Sequence, residues 1–156
     1  MFRFLKIAIP VFVVGFIAGN AFWYLASPLW IDRVVSESAP ISAQSTGRSG
    51  MFKDADLAHK GSGKAEILKA DGMNLLRLSD FKVTNGPDLE VWLVEKADIE
   101  NSSDVKGSKW LSLGALKGNI GDQSYQIPAG TDISKYSSAV IWCEQFGVLF
   151  ASASLN

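Results

Sequence analysis

Cysteine and histidine are the scarcest chemistry-bearing residues of this 156-residue chain, with one of each, Cys143 and His59. A single cysteine excludes an intramolecular disulfide. One His and one Cys also exclude, within one chain, a zinc site of the usual four-ligand type. There is no excess of basic charge: 15 Lys and Arg stand against 16 Asp and Glu. Two of those cations, Arg3 and Lys6, precede all the acids, so the remainder carries a slight negative excess. Such a surface repels phosphate backbones, and nucleic acid is not expected as a partner. No Gly-x-Ser-x-Gly elbow, phosphate loop, dinucleotide fingerprint or EF-hand-like loop is present. A Ser/His/Asp triad would need the single histidine, and no serine has a nucleophile context. Hydrolytic catalysis is therefore not expected.

What is present begins with an apolar run. Ile7 to Trp30 holds no charged residue and few polar ones, Asn20 and Ser27 among them. As a helix it would be roughly 36 Å long, enough to cross a hydrocarbon core of roughly 30 Å with some tilt. Pro10 lies near one end, where a kink is tolerated. Trp23, Tyr24 and Trp30 gather at the other, where indole and phenol rings suit the headgroup boundary. Arg3 and Lys6 precede the span, and no net positive charge comes after it. The positive-inside bias then places the N-terminus in the cytoplasm and the rest in the periplasm or outside the cell. A cleaved signal peptide is the competing reading, with Gly19-Asn20-Ala21 as a small-residue cleavage site. The apolar run continues to Ile31, which favours a signal-anchor over residues 1–31. Both readings export the remainder of the chain.

Residues 32–49 read as a flexible linker, rich in Ser, Ala, Gln, Thr and Gly and without hydrophobic periodicity. From Gly50 onward short apolar segments alternate with turn residues. Met51-Phe52-Lys53 is a candidate short strand. Lys64–Lys69 and Asn74–Ser79 flank Asp71-Gly72 and predict a hairpin. Leu89–Glu95 is apolar on both alternating sets, which predicts a central strand. Asp98–Lys109 reads as a polar loop that could hold a helical turn. Trp110–Leu116, Gly121–Ile127, Ala139–Cys143 and Val148–Ser154 are further strand candidates. The fold class expected is all-β, an antiparallel β-sandwich or barrel-like domain over residues 50–156, preceded by one N-terminal transmembrane helix.

The order of these segments resembles the DM13 domain family. The resemblance is carried by Gly50-Met51-Phe52, His59 with Ser62-Gly63, Asp80-Phe81, and Gly86-Pro87-Asp88-Leu89 entering an apolar strand. It continues through Leu113-Gly114-x-Leu116-Lys117-Gly118 and Gly121-Asp122-Gln123-x-Tyr125-x-Ile127-Pro128. It ends on Val140-Ile141-Trp142-Cys143, Phe146 and Val148-Leu149-Phe150-Ala151-x-Ala153-x-Leu155. The resemblance implies an extracytoplasmic β domain with a hallmark cysteine and a proposed electron-transfer role. It also implies haem or metal as a cofactor class, which the residues themselves do not identify.

Cys143 is the redox candidate. Its alternative reading is a small buried core residue, the usual state of a free cysteine. As a redox group it could ligate a metal or haem iron, or cycle through sulfenic acid or a mixed disulfide. No Lys, Arg or His adjoins it in sequence to depress its pKa. His59 and Trp142 are candidate ligands or neighbours of that site. His59 gains interest only if the fold brings it near Cys143. Met51 and Met73 are soft candidates otherwise read as core filler. Trp92, Trp110, Trp142 and Tyr125 either line a groove or pack the core. Asp80, Asp88 and Asp122 lie at turns, where Asp usually bonds its own backbone. Two functions are compatible with these features: a membrane-tethered redox module meeting an envelope partner, or a non-catalytic envelope module that binds a protein or glycan through its loops.

Overall fold

The computed structural model describes residues 2–27 and 30–156. Helix α1 covers Phe2–Ala26. Within it Arg3–Tyr24 is long and apolar enough to cross a membrane, and none of that window is buried against the rest of the chain. Asn20, the polar residue inside the run, donates from Nδ2 to Phe16 O at 2.7 Å, so its amide is satisfied along the helix itself. Pro10 lies inside α1 near its start. Trp23 and Trp30 meet edge to face at 6.1 Å at the domain end. Met1, Pro28 and Leu29, which the expected anchor includes, lie outside the described residues.

Among the described residues ten strands succeed the helix. They are β1 (Val34–Ser36), β2 (Gln44–Met51), β3 (Lys53–Asp54), β4 (Gly61–Ala70), β5 (Met73–Val83) and β6 (Leu89–Val94). Helix α2 (Ser102–Lys106) comes next, then β7 (Trp110–Ala115), β8 (Ile120–Gln126), β9 (Ser138–Cys143) and β10 (Val148–Ser154). They form two five-stranded sheets, ordered β1-β8-β5-β4-β2 and β3-β10-β9-β6-β7. Every pairing is antiparallel except β1 on β8. The β4–β5 hairpin turns at Asp71-Gly72, with φ of 51° and 79°, the left-handed pair that a tight two-residue turn demands. The chain passes between sheets at Phe52, whose ring enters the core and meets Phe81 edge to face at 5.2 Å.

The alternation of β6 decides how the second sheet is covered. Leu89, Val91 and Leu93 face the first sheet and join Ile67, Leu76, Leu78, Phe81, Ile141 and Cys143 in the main core. Trp92 and Val94 face the other way, into a second cluster with Ile99, Val105, Val140, Trp142 and Leu149. This outer face is roofed by residues 95–108. Asn101 caps α2 in a reciprocal box with Asp104. Leu149 N donates to Ser102 Oγ at 3.0 Å, and Ser152 Oγ donates to Ile99 O at 2.8 Å. The polar loop expected at 98–109 is thus a fastened roof. It explains why both faces of β6 are apolar.

The expected linker departs most from its reading. Residues 34–36 and 44–51 are strands at the free edges of the first sheet. They hold by backbone pairing and polar anchors, which hydrophobic periodicity does not register. Glu37 accepts from Lys117 Nζ at 2.7 Å and from Ser124 N at 2.8 Å. The guanidinium of Arg48 donates to the carbonyls of Ile133 and Tyr136. A Cβ at Gly121, whose φ is +99°, would stand 2.1 Å from Val35 O, so glycine there is what lets β1 dock.

Candidate functional site

Cys143 ends β9, opposite Leu89 of β6 and Val148 of β10. Its side chain belongs to the main core and has no exposed surface. The loop 84–88 closes over it: Sγ donates to Pro87 O at 3.1 Å, and Glu144 N donates to Asp88 O at 3.0 Å. Gly86 permits this closure, since a Cβ there would lie 2.6 Å from the Phe150 ring. The Gly-Pro-Asp segment therefore serves as the lid of the thiol as well as the turn into β6. Glu144 is exposed.

The His59 ring packs against that of Phe150, with centroids 4.2 Å apart. Its Nδ1 meets Asp56 Oδ2 at 2.7 Å. Hydrogen bonding to His59, first through its ring and then its backbone N–H, holds the Asp56 carboxyl down to about 2. Phe150, Gly86 and Pro87 connect His59 to Cys143, but the polar atoms of the two residues have separate partners. Among the described residues no group of three or more His, Cys, Asp or Glu is placed to hold a metal ion.

The other candidates divide between core and surface. Tyr125 is buried in the main core; its hydroxyl donates to Gln123 Oε1 at 2.7 Å and accepts from Lys117 N at 2.9 Å. Burial raises its pKa well above the ordinary value. Met51 is exposed, and Met73 Sδ accepts from Gln126 Nε2 at 3.1 Å. Asp88 takes a positive φ at its turn, whereas Asp80, expected at a turn, takes one inside β5 where the strand shifts register. Asp122 spans Asp80 N at 2.8 Å and the buried Arg77 guanidinium at 2.9 Å, a structural role.

Trp142 points away from the thiol, because alternate residues of β9 face opposite sides. It sits in the outer cluster with Trp92, ring centroids 5.3 Å apart. Trp92 stacks on Trp110 at 3.9 Å and 12°. Three indoles therefore run across β9, β6 and β7, from two that are 3% exposed to Trp110, which is 47% exposed. Glu90 lies among them, opposite Trp142 in the β6–β9 register. Its Oε2 accepts from Trp92 Nε1 at 2.7 Å and from Ser112 Oγ at 2.6 Å. Lys106 Nζ of α2 stands 5.9 Å from the Trp142 ring. Sequence reasoning named the three tryptophans as groove or core residues but missed Glu90 and the stacking of the rings. The available signal was the spacing of two between Glu90 and Trp92 on a strand, which puts both on one face.

A family model described as "Electron transfer DM13" matches residues 52–155. No curated protein and no solved structure matches the chain.

Proposed function

Because the chain belongs to the DM13 family, we propose that it is a membrane-tethered, extracytoplasmic electron-transfer module in which Cys143 is the redox group. Helix α1 is the tether, and the positive charge of Arg3 and Lys6 supports the outward placement of the domain. The partner is an envelope protein that exchanges electrons with it. The observation that carries this reading is the enclosure of the thiol. A sulfur with no solvent-accessible surface is out of reach of an attacking disulfide or peroxide unless the fold opens. Electrons need no such contact; the Sγ–H proton that a neutral thiol releases with its electron would leave toward Pro87 O, the hydrogen-bond partner of the sulfur.

The same enclosure favours a second reading, a non-catalytic envelope binding module in which Cys143 is packing alone. Electron exchange separates the two. Full-length protein in detergent is titrated with soluble one-electron mediators, with elemental analysis and a visible spectrum alongside. Uptake and release of electrons that disappears in Cys143→Ser is the expected result. A wild-type protein that neither exchanges electrons nor carries a metal, with Cys143→Ser indistinguishable from it, favours the packing module.

A further inference from the structure

The row of tryptophans extends the electron-transfer reading, on which it rests, to a route through the surface. We infer that Trp92 and Glu90 form a proton-coupled one-electron site, with the stacked Trp110 as its port to a strongly oxidising one-electron acceptor. An acceptor of that class is an organic radical or a high-valent metal centre on a docking partner, because an indole yields an electron only to a strong oxidant.

Three features support this. The first is access. Trp110 lies on β7, the edge strand of its sheet, with nearly half its surface exposed, and overlaps Trp92 face to face at 3.9 Å. An electron leaving Trp92 crosses one stacked contact to reach solvent.

The second is proton management. Removing an electron from an indole makes its N–H strongly acidic. Trp92 Nε1 already donates to the Glu90 carboxylate at 2.7 Å. The balanced step is therefore the loss of one electron from Trp92 to the acceptor through Trp110. The Nε1 proton moves to Glu90 Oε2. The products are a neutral indolyl radical, a protonated Glu90 and an acceptor reduced by one electron. Cys143 has no comparable acceptor, since its Sγ–H faces the weakly basic carbonyl of Pro87.

The third is the local field. Glu90 favours positive charge on Trp92, while the Lys106 ammonium beside Trp142 opposes it there. Before the proton moves, the indole cation is thereby favoured at Trp92 over Trp142.

The test is flash photolysis of the full-length protein in detergent with a ruthenium polypyridyl complex and a sacrificial electron acceptor. Trp23 and Trp30 are first replaced by Phe, leaving only the three indoles of the domain. The expected product is the neutral indolyl radical. In Glu90→Gln the neutral-radical spectrum is lost and the indole cation takes its place. Trp110→Phe, at an exposed position, abolishes rapid oxidation of Trp92 without unfolding the domain, which circular dichroism verifies. A radical cation in the wild type, or a spectrum and yield unchanged in both Glu90→Gln and Trp110→Phe, overturns the proposal. A radical that persists in Cys143→Ser shows that the Trp92–Glu90 site stands on its own, and its failure is distinguishable from failure of the Cys143 reading, which the mediator titration tests.

Discussion

Replacing Cys143 by alanine tests whether the thiol is packed as tightly as its enclosure indicates. The side chain has no exposed surface and sits among Leu89, Ile141 and Phe150. Deleting sulfur removes an apolar group about the size of a methylene, about 0.8 kcal/mol of transfer free energy. The void adds a cost of similar size, because strands paired on both sides of β9 leave little freedom to collapse. Pro87 O also loses its donor, about 1 kcal/mol for a neutral hydrogen bond. The sum is about 2.6 kcal/mol, which lowers the folded-to-unfolded ratio about eightyfold. Urea unfolding of wild type and Cys143→Ala, followed by circular dichroism, reads this as a lower midpoint at unchanged slope. A loss below about 0.5 kcal/mol would mean a site that closes up freely and would refute tight packing around the sulfur.

Thiol labelling of the folded protein should proceed only through opening of loop 84–88, so Cys143 should react rapidly only after denaturation. Mass spectrometry after a maleimide pulse measures this, and fast labelling of native protein contradicts the lid. Gly121→Ala should detach β1, because its Cβ would clash with Val35 O at a φ of +99°; proteolysis near residues 32–43 should accelerate while the β4–β5 hairpin stays protected from hydrogen exchange. Asp56 has its folded-state pKa lowered from 3.8 to about 2, so its contribution to stability is complete above the ordinary carboxylate range and is lost as pH falls through about 2. An NMR titration in which the Asp56 carboxyl shows its ordinary midpoint contradicts the His59 contact. Protease added to the non-cytoplasmic side should remove the domain and leave α1 behind; full protection would contradict the proposed topology.

The fold was legible in the sequence where burial leaves a pattern. The Asp71-Gly72 hairpin, the doubly apolar β6 and the C-terminal strand pair that turns after Cys143 were all readable, because each combines turn residues with a short apolar or alternating segment. The edge strands β1 and β2 were not. Their residues are mostly exposed and polar, and their place is set by partners far along the chain: Gly121 for β1, and the Ile133 and Tyr136 carbonyls for Arg48. At the site, the cysteine could be singled out, but its orientation came from register. The same alternation that turns Cys143 inward turns Trp142 outward, so two neighbours in sequence belong to different clusters. His59 reaches Phe150 rather than the thiol because its ring is fixed by Asp56. The stack of Trp92 on Trp110 joins residues on neighbouring strands, which no local spacing encodes.

Electron exchange through Cys143 is tested most directly by protein-film voltammetry of the full-length chain against its Cys143→Ser variant, once circular dichroism shows both folded. A redox-active thiol predicts a reversible wave in the wild type that is lost or displaced in the variant. Superimposable traces without a faradaic wave, from folded and metal-free protein, would contradict it.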